Sequence, residues 1–402
     1  MVIGVRERGA RVAMHSSKVM RHRFPNLHGA LSESNEKQIH CETVGYGLID
    51  FNDPIFDAIR ESNSHLSATG EIRSGPSPPG VTFVVRWPNG SYAGIASIEV
   101  VRDREPRSKP DLIVTTFRVE NLRSSSELAD ILLSKALENA VEHEAERILI
   151  SASPRDSDLI KYLEFRGFRS VPGTLKQGQR QYAVELSNPD GFYASLNRLA
   201  YDLLAEEYRH RSMIPGPSQA TPESLAALLE SRLIKPVRRV LELGPGSGDV
   251  LSALGTFSEQ TVAIEISPKM AQIAQSRARN AQVVVGNAME VDFVDHSFDG
   301  VYAGAFIHLF PPTHAARLVA RISRWTRPAG TVFVNTSVVD RNSASFQVKR
   351  DYNRRVVRYR SRWTEEQFRR LLEDNGLHIS ERVTTEERER GKSWVGFLCT
   401  PG

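Results

Sequence analysis

The chain has 402 residues, more than one compact core usually spans, which points to two domains. With 40% hydrophobic and 25% charged residues it has the make-up of a soluble enzyme, and it lacks an apolar run near the roughly 18 residues that a membrane-spanning helix needs. The 52 basic and 48 acidic residues leave a formal charge of only +4, too little to argue for nucleic acid by overall charge. Cys41 and Cys399 lie far apart, which offers neither a disulfide framework nor a paired-cysteine metal site and fits a reducing cytoplasm.

Residues 1–37 form a basic tail, with Arg6, Arg8, Arg11, Lys18, Arg21 and Arg23 opposed over the first 24 residues by Glu7. Val12-Ala13-Met14 is broken at once by His15 and two serines, so no secretory h-region follows the charges. The tail reads as disordered or as the product of an upstream start codon; an organellar transit segment is the other reading. A domain over 38–187 comes next, closed by the turn formers Ser187-Asn188-Pro189-Asp190-Gly191. In it, Val81 to Trp87 and Tyr92 to Val101 flank Pro88-Asn89-Gly90-Ser91, a strong hairpin signal. A strand over Leu112 to Val119 follows, then a helix from Ser126 with Leu133, Leu137 and Val141 on one face, then the strand Arg147 to Ala152.

This α+β order, with the ending Tyr162-Leu163-Glu164-Phe165-Arg166-Gly167-Phe168, resembles the GNAT acetyltransferase family. That family holds the pyrophosphate of acetyl-CoA on a glycine-containing loop at a helix N-terminus. Here the loop aligns with Arg123-Ser124-Ser125-Ser126-Glu127-Leu128, without either glycine and with an acid where phosphates would sit. The resemblance thus implies a degenerate domain to which acetyl-CoA binding is not expected; a working acetyltransferase fused to a second enzyme is the alternative.

From residue 188 to 402 strands and helices alternate. Val237 to Leu243 runs into Gly244-Pro245-Gly246-Ser247-Gly248-Asp249, and Val250 to Leu254 starts a helix: strand, glycine turn, helix, the arrangement that lets a ligand approach the backbone. The second strand ends in Glu265, about 20 residues beyond the first glycine, where a carboxylate reaches ribose hydroxyls. Ser267-Pro268 opens the next helix.

The series Glu242-Leu243-Gly244-x-Gly246-x-Gly248, Glu265-Ile266, Gly286-Asn287-Ala288, Ser297 to Ala305 and Pro328-Ala329-Gly330 resembles, in order, the motifs of class I S-adenosylmethionine-dependent methyltransferases. The resemblance implies a Rossmann-like α/β domain with a doubly wound, seven-stranded sheet and S-adenosylmethionine as cofactor. It carries cofactor contacts onto Glu242, Gly244, Gly246, Gly248, Glu265, Ile266, Met270, Asn287, Ala288 and Ala303. Tyr201 and Tyr208, in the leading helix, are candidates to cover the methionine end. Asn/Asp-Pro-Pro-aromatic, expected of a base-modifying enzyme, is absent after the fourth strand, where the chain reads Gly304-Ala305-Phe306-Ile307-His308-Leu309-Phe310. The acceptor is therefore expected to be a small metabolite or a peptide, methylated on nitrogen or oxygen, and not nucleic acid. His308, just past the strand end, is the candidate general base.

Between Arg341 and Arg362 the cations Lys349, Arg350, Arg354, Arg355, Arg358 and Arg360 are interleaved with Phe346, Tyr352 and Tyr359. The segment reads as a lid in which Arg354, Arg355, Arg358 and Tyr359 hold an anionic acceptor, or as an amphipathic helix with solvated arginines. A bifunctional acetyltransferase/methyltransferase and a non-catalytic S-adenosylmethionine-binding protein are the alternatives for the whole chain.

Overall fold

The computed structural model describes residues 40–45, 81–86, 92–101, 109–119, 122, 126–172, 179–212, 221–387 and 392–402. The basic tail, the turn Pro88-Asn89-Gly90-Ser91 and Arg123 to Ser125 lie outside the described residues.

In the first half, β1 (His40–Gly45), β2 (Val81–Arg86), β3 (Tyr92–Val101) and β4 (Asp111–Val119) pair antiparallel in sequence order. Helix α1 (Ser126–Glu142) then carries the chain over, and β5 (Arg147–Ala152) returns parallel to β4 with Leu112 opposite Ile148. A parallel return needs such a crossover, because a hairpin cannot make it. Helix α2 (Ser157–Phe165) starts at Asp156, whose carboxylate accepts from the Leu159 amide at 3.2 Å. Next come β6 (Arg169–Val171) and β7 (Arg180–Glu185), giving the order β1-β2-β3-β4-β5-β7-β6.

A short turn at Pro189–Gly191 leads into α3 (Tyr193–Ser212), followed by α4 (Pro222–Glu230). The second sheet begins with β8 (Arg239–Leu243), α5 (Asp249–Leu254), β9 (Gln260–Glu265), α6 (Pro268–Arg277) and β10 (Gln282–Val285). It continues with β11 (Phe298–Ala303), α7 (Pro312–Trp325) and β12 (Thr326–Ser337). After β13 (Ser343–Lys349) and β14 (Val356–Arg362), the chain closes with α8 (Glu365–Glu373), β15 (Leu377–Glu387) and β16 (Lys392–Pro401). The order is β10-β9-β8-β11-β12-β16-β15, parallel except for β16, which runs antiparallel to both neighbours. β8 and β11 are adjacent while β9 lies on the far side of β8. The winding therefore reverses between β8 and β11, leaving a crevice at their carboxyl ends.

β13 and β14 form a separate antiparallel ribbon, with Phe346 opposite Tyr359. The segment expected to be a lid or an amphipathic helix is thus a β-hairpin. Its inner face joins a continuous apolar cluster: Phe346 and Tyr359 pack with Phe192 and Tyr193, and the same cluster holds Leu132, Leu133 and Leu137 of α1. Among the described residues no helix is long and apolar enough to cross a membrane, and no group of His, Cys, Asp and Glu is arranged to hold a metal ion.

Candidate active site

The loop after β8 is built by its glycines. Gly244, Gly246 and Gly248 have φ of 67°, 56° and 84°, the left-handed region that side chains with a Cβ avoid. At Gly248 an added Cβ would lie 2.7 Å from the Ala274 Cα, so this glycine lets α5 and α6 pack. At Gly246 an added Cβ meets nothing within 4 Å: it would project into open space. The loop is tied down by Gly248 N donating to Pro245 O at 2.8 Å and by Gly244 N donating to Ile264 O at 2.9 Å.

That space lies in a cavity of about 920 Å³. Gly244 and Gly246 form one side, Glu265, Ile266 and Met270 the next, and Gly286, Asn287 and Ala288 the third. Tyr193, Ala194, Asn197, Tyr201 and Tyr208 of α3 cover it, and Ala305, Phe306, Leu309 and Phe310 close the end beyond β11. Asn287 Oδ1 accepts from Met289 N at 3.0 Å, which leaves this carbonyl a second lone pair for a ligand amino group.

Two buried carboxylates set the electrostatics. Glu242 is 3% exposed and its Oε2 has no hydrogen-bond partner among the described residues. Burial pushes its carboxyl up to about 8, and the negative charges of Asp249 and Glu265 add to the rise. Glu265 is 6% exposed and pushed by burial up to about 7, against the lowering effect of the Ser267, Ile266 and Gly246 amides. Its Oε1 accepts from Ser267 N at 2.8 Å. Ser267 Oγ accepts from Met270 N at 3.1 Å and donates to Asp202 Oδ1 at 2.6 Å. Two acids held above their ordinary range call for a cation or for hydroxyl donors, and a phosphate would meet repulsion. An ammonium and sulfonium beside Glu242 and ribose hydroxyls at Glu265 meet that demand, so the residues present fit S-adenosylmethionine.

Residues 241–334 match the family model described as a methyltransferase domain. The chain therefore carries an S-adenosylmethionine-dependent methyltransferase domain. The chain is 29% identical over 115 residues to an uncharacterised methyltransferase of Mycobacterium tuberculosis, a match covering 29% of this chain and 44% of that protein. It is 28% identical over 133 residues to a probable ribosomal RNA small subunit methyltransferase A of Pyrobaculum islandicum, covering 33% of this chain and 53% of that one. The chain thus spans about half the length of these relatives. A solved N1-methyltransferase of Burkholderia thailandensis with bound 1,6-didemethyltoxoflavin and S-adenosylhomocysteine is 19% identical with a TM-score of 0.42, covering 58% of this chain and 94% of that one.

In the methyltransferase domain, Tyr201, Tyr208, Gly244, Gly246, Glu265, Ile266, Met270, Asn287 and Ala288 line the cavity together. Glu242, Gly248 and Ala303 are not part of its wall. Glu242 lies buried in β8, Gly248 packs on α6, and Ala303 is buried in β11. His308 is also absent from the wall. It is buried in the short turn Ile307–Leu309, with the Trp394 ring 6.3 Å away centre to centre.

The arginines of the hairpin are also committed elsewhere. Arg355 pairs with Glu138 at 2.7 Å and Glu142 at 2.5 Å, both on α1. Arg354 donates to Leu203 O at 3.3 Å, and Arg358 to the Tyr201 hydroxyl at 2.9 Å. Tyr359 is buried, its amide donating to Asn197 Oδ1 at 2.8 Å. None of the four lines the cavity, where Glu265 is the only Asp, Glu, Lys or Arg among the described lining residues. Arg355 thus fastens the hairpin to the first half, and Arg358 braces Tyr201. Sequence reasoning did not single out Tyr193, Asn197, Phe306, Leu309 or Phe310; the signal available for the last three was their position directly after β11.

Proposed function

We propose that this chain transfers a methyl group from S-adenosylmethionine to nitrogen or oxygen of a small metabolite or a peptide. The observation that carries this reading is the cavity under the glycine loop with Glu265 in its wall at the end of the next strand, and with Glu242 buried behind that wall. When bound, S-adenosylmethionine supplies an electrophilic methyl group. The chain's own residues orient and dry the site: Glu265 fixes the ribose, Tyr201 and Tyr208 cover the methionine end, and Phe306, Leu309 and Phe310 exclude water from the reacting end. A base as strong as a free imidazole is not required for a neutral amine acceptor. The missing base-stacking motif after β11 and the near-balanced charge favour a small acceptor over nucleic acid, and the two isolated cysteines favour the cytoplasm.

The first half is read as a GNAT-like fold without acetyl transfer. Support comes from the hairpin, strand, helix and parallel return of β2 to β5, and from Glu127 at the start of α1, which pairs with Lys269 at 3.0 Å. Incubating the full chain with methyl-labelled S-adenosylmethionine and separate small-metabolite, peptide and RNA fractions tests the acceptor class. Label in the metabolite or peptide fraction is expected; label confined to RNA would overturn the small-acceptor reading.

A further inference from the structure

Arg166 caps the end of α2 in the first half of the chain and also reaches α3 of the second. Its guanidinium is 6% exposed and grips Asp130 of α1 with both carboxylate oxygens engaged: Nε donates to Oδ1 at 2.8 Å, and Nη2 pairs with Oδ2. The Tyr162 hydroxyl donates to the same Oδ1 at 2.8 Å. The remaining nitrogen, Nη1, lies 4.0 Å from Oδ2 of Asp202 on α3. The Arg166 and Arg198 guanidiniums lie 5.0 Å and 4.5 Å from the Phe165 ring centre, and Arg198 reaches the same Asp202 oxygen at 4.0 Å.

The other oxygen of Asp202 does different work. Oδ1 accepts from Ser267 Oγ at 2.6 Å and from the Lys269 amide at 3.4 Å, so it fixes the turn that joins β9 to α6. Ser267 is fully buried, and its amide holds Glu265 Oε1. A continuous line of hydrogen bonds and ion pairs therefore runs from Asp130 through Arg166, Asp202 and Ser267 to Glu265. Asp202 sits near enough to Glu265 that its charge works against that carboxylate's ionisation. On its other side it faces the guanidiniums of Arg166 and Arg198, each 4.0 Å from Oδ2.

We propose that Arg166 is a positioning residue for the ribose carboxylate Glu265, acting through Asp202 and Ser267, so that the first half of the chain completes the cofactor site of the second. This rests on the S-adenosylmethionine reading of the cavity. Without Arg166, the one ion-pair partner left to Asp202 among the described residues is Arg198, whose side chain is about a third exposed. Its hold on Ser267 loosens, and Glu265 loses the orientation that lets it receive two ribose hydroxyls.

The test is displacement of labelled S-adenosylhomocysteine from the full chain by adenosine and by 2′,3′-dideoxyadenosine. Hydrogen bonds to a charged group are strong enough that the wild type should prefer adenosine by about ten-fold or more. Replacing Asp130→Asn and Arg166→Gln together strands neither charge, and it should reduce that preference to within about three-fold, whereas Arg355→Gln, a cross-interface pair with no path to Ser267, should keep it. If the double variant does not fold, Arg166→Lys decides, since it keeps the charge but loses the bidentate grip, and a partial loss of preference is expected. An undiminished preference in the folded double variant or in Arg166→Lys overturns the proposal, as does an equal loss in Arg355→Gln. A wild type that does not bind S-adenosylhomocysteine overturns the cofactor reading itself, and that arm is measured before any variant.

Discussion

Gly246 and Gly248 are two residues apart in one loop, and the geometry separates their roles. Replacing either by Ala places a Cβ at φ of 56° or 84°, a strain of about 1–2 kcal/mol. For Gly246→Ala that is nearly the whole cost to stability, because the new methyl group meets no atom within 4 Å. It does, however, occupy cavity space against which a bound ligand must lie. For Gly248→Ala the methyl group meets the Ala274 backbone at 2.7 Å to Cα and 2.8 Å to O. Backbone cannot rotate aside, so α5 and α6 must separate, adding an overpacking penalty of about 1–3 kcal/mol. With a shift of roughly 2–4 °C per kcal/mol for a domain of this size, Gly246→Ala should lower Tm by about 2–8 °C and Gly248→Ala by about 4–20 °C. Calorimetric titration with S-adenosylhomocysteine should show Gly246→Ala weakened by at least about ten-fold although it stays folded. The reasoning is refuted if Gly246→Ala binds like the wild type, or if it proves the less stable of the two.

Glu242→Gln should change stability with a definite pH sign. The folded-state carboxyl lies near 8 against an ordinary 4.5, so between those values the folded chain holds a proton that the unfolded chain has released. Its stabilising contribution is then complete below pH 4.5 and lost as pH rises through about 8. Chemical denaturation of the ligand-free protein should show Glu242→Gln gaining on the wild type more at pH 9 than at pH 5, while losing affinity for S-adenosylhomocysteine; equal effects at both pH values would contradict this. Asp299→Ala should destabilise the second sheet by about 3 kcal/mol, since Oδ2 accepts from the Arg238 and Arg239 amides at 2.8 Å each and Oδ1 pairs with Arg327; a urea midpoint unchanged from wild type would count against it. Arg355→Gln should cost only about 1 kcal/mol, because the pair is partly exposed, and should leave S-adenosylhomocysteine affinity unchanged in titration.

The cofactor half of the site was legible because its logic is local. Gly244 to Gly248 follow β8 directly, and Glu265 ends β9, so a few adjacent residues fix both backbone geometry and chemistry. The hairpin over β13 and β14 was hidden for a physical reason. Val356 to Ser361 are buried or half-buried on both faces of the strand, lying between α1 and α3, so the alternation that reports a half-exposed strand is missing. The partners of Arg350 and Arg355 are equally out of sight, since Glu142 is more than 200 residues away in sequence. The position of His308 after β11 is a sequence fact, but its burial in the short turn beside Trp394 is a tertiary one. The link from Arg166 to Asp202 is likewise a tertiary fact, since the two residues stand on different elements that only packing brings within 4.0 Å.

The most direct test of the central claim is calorimetric titration of the full chain with S-adenosylmethionine, S-adenosylhomocysteine, NAD and ATP under one condition. In the proposed reading Glu242 and Glu265 disfavour phosphates and receive an ammonium and a ribose. The account predicts one site per chain for both adenosyl compounds and none for NAD or ATP. Binding of NAD or ATP at the glycine loop, or absence of binding by both adenosyl compounds, would contradict it.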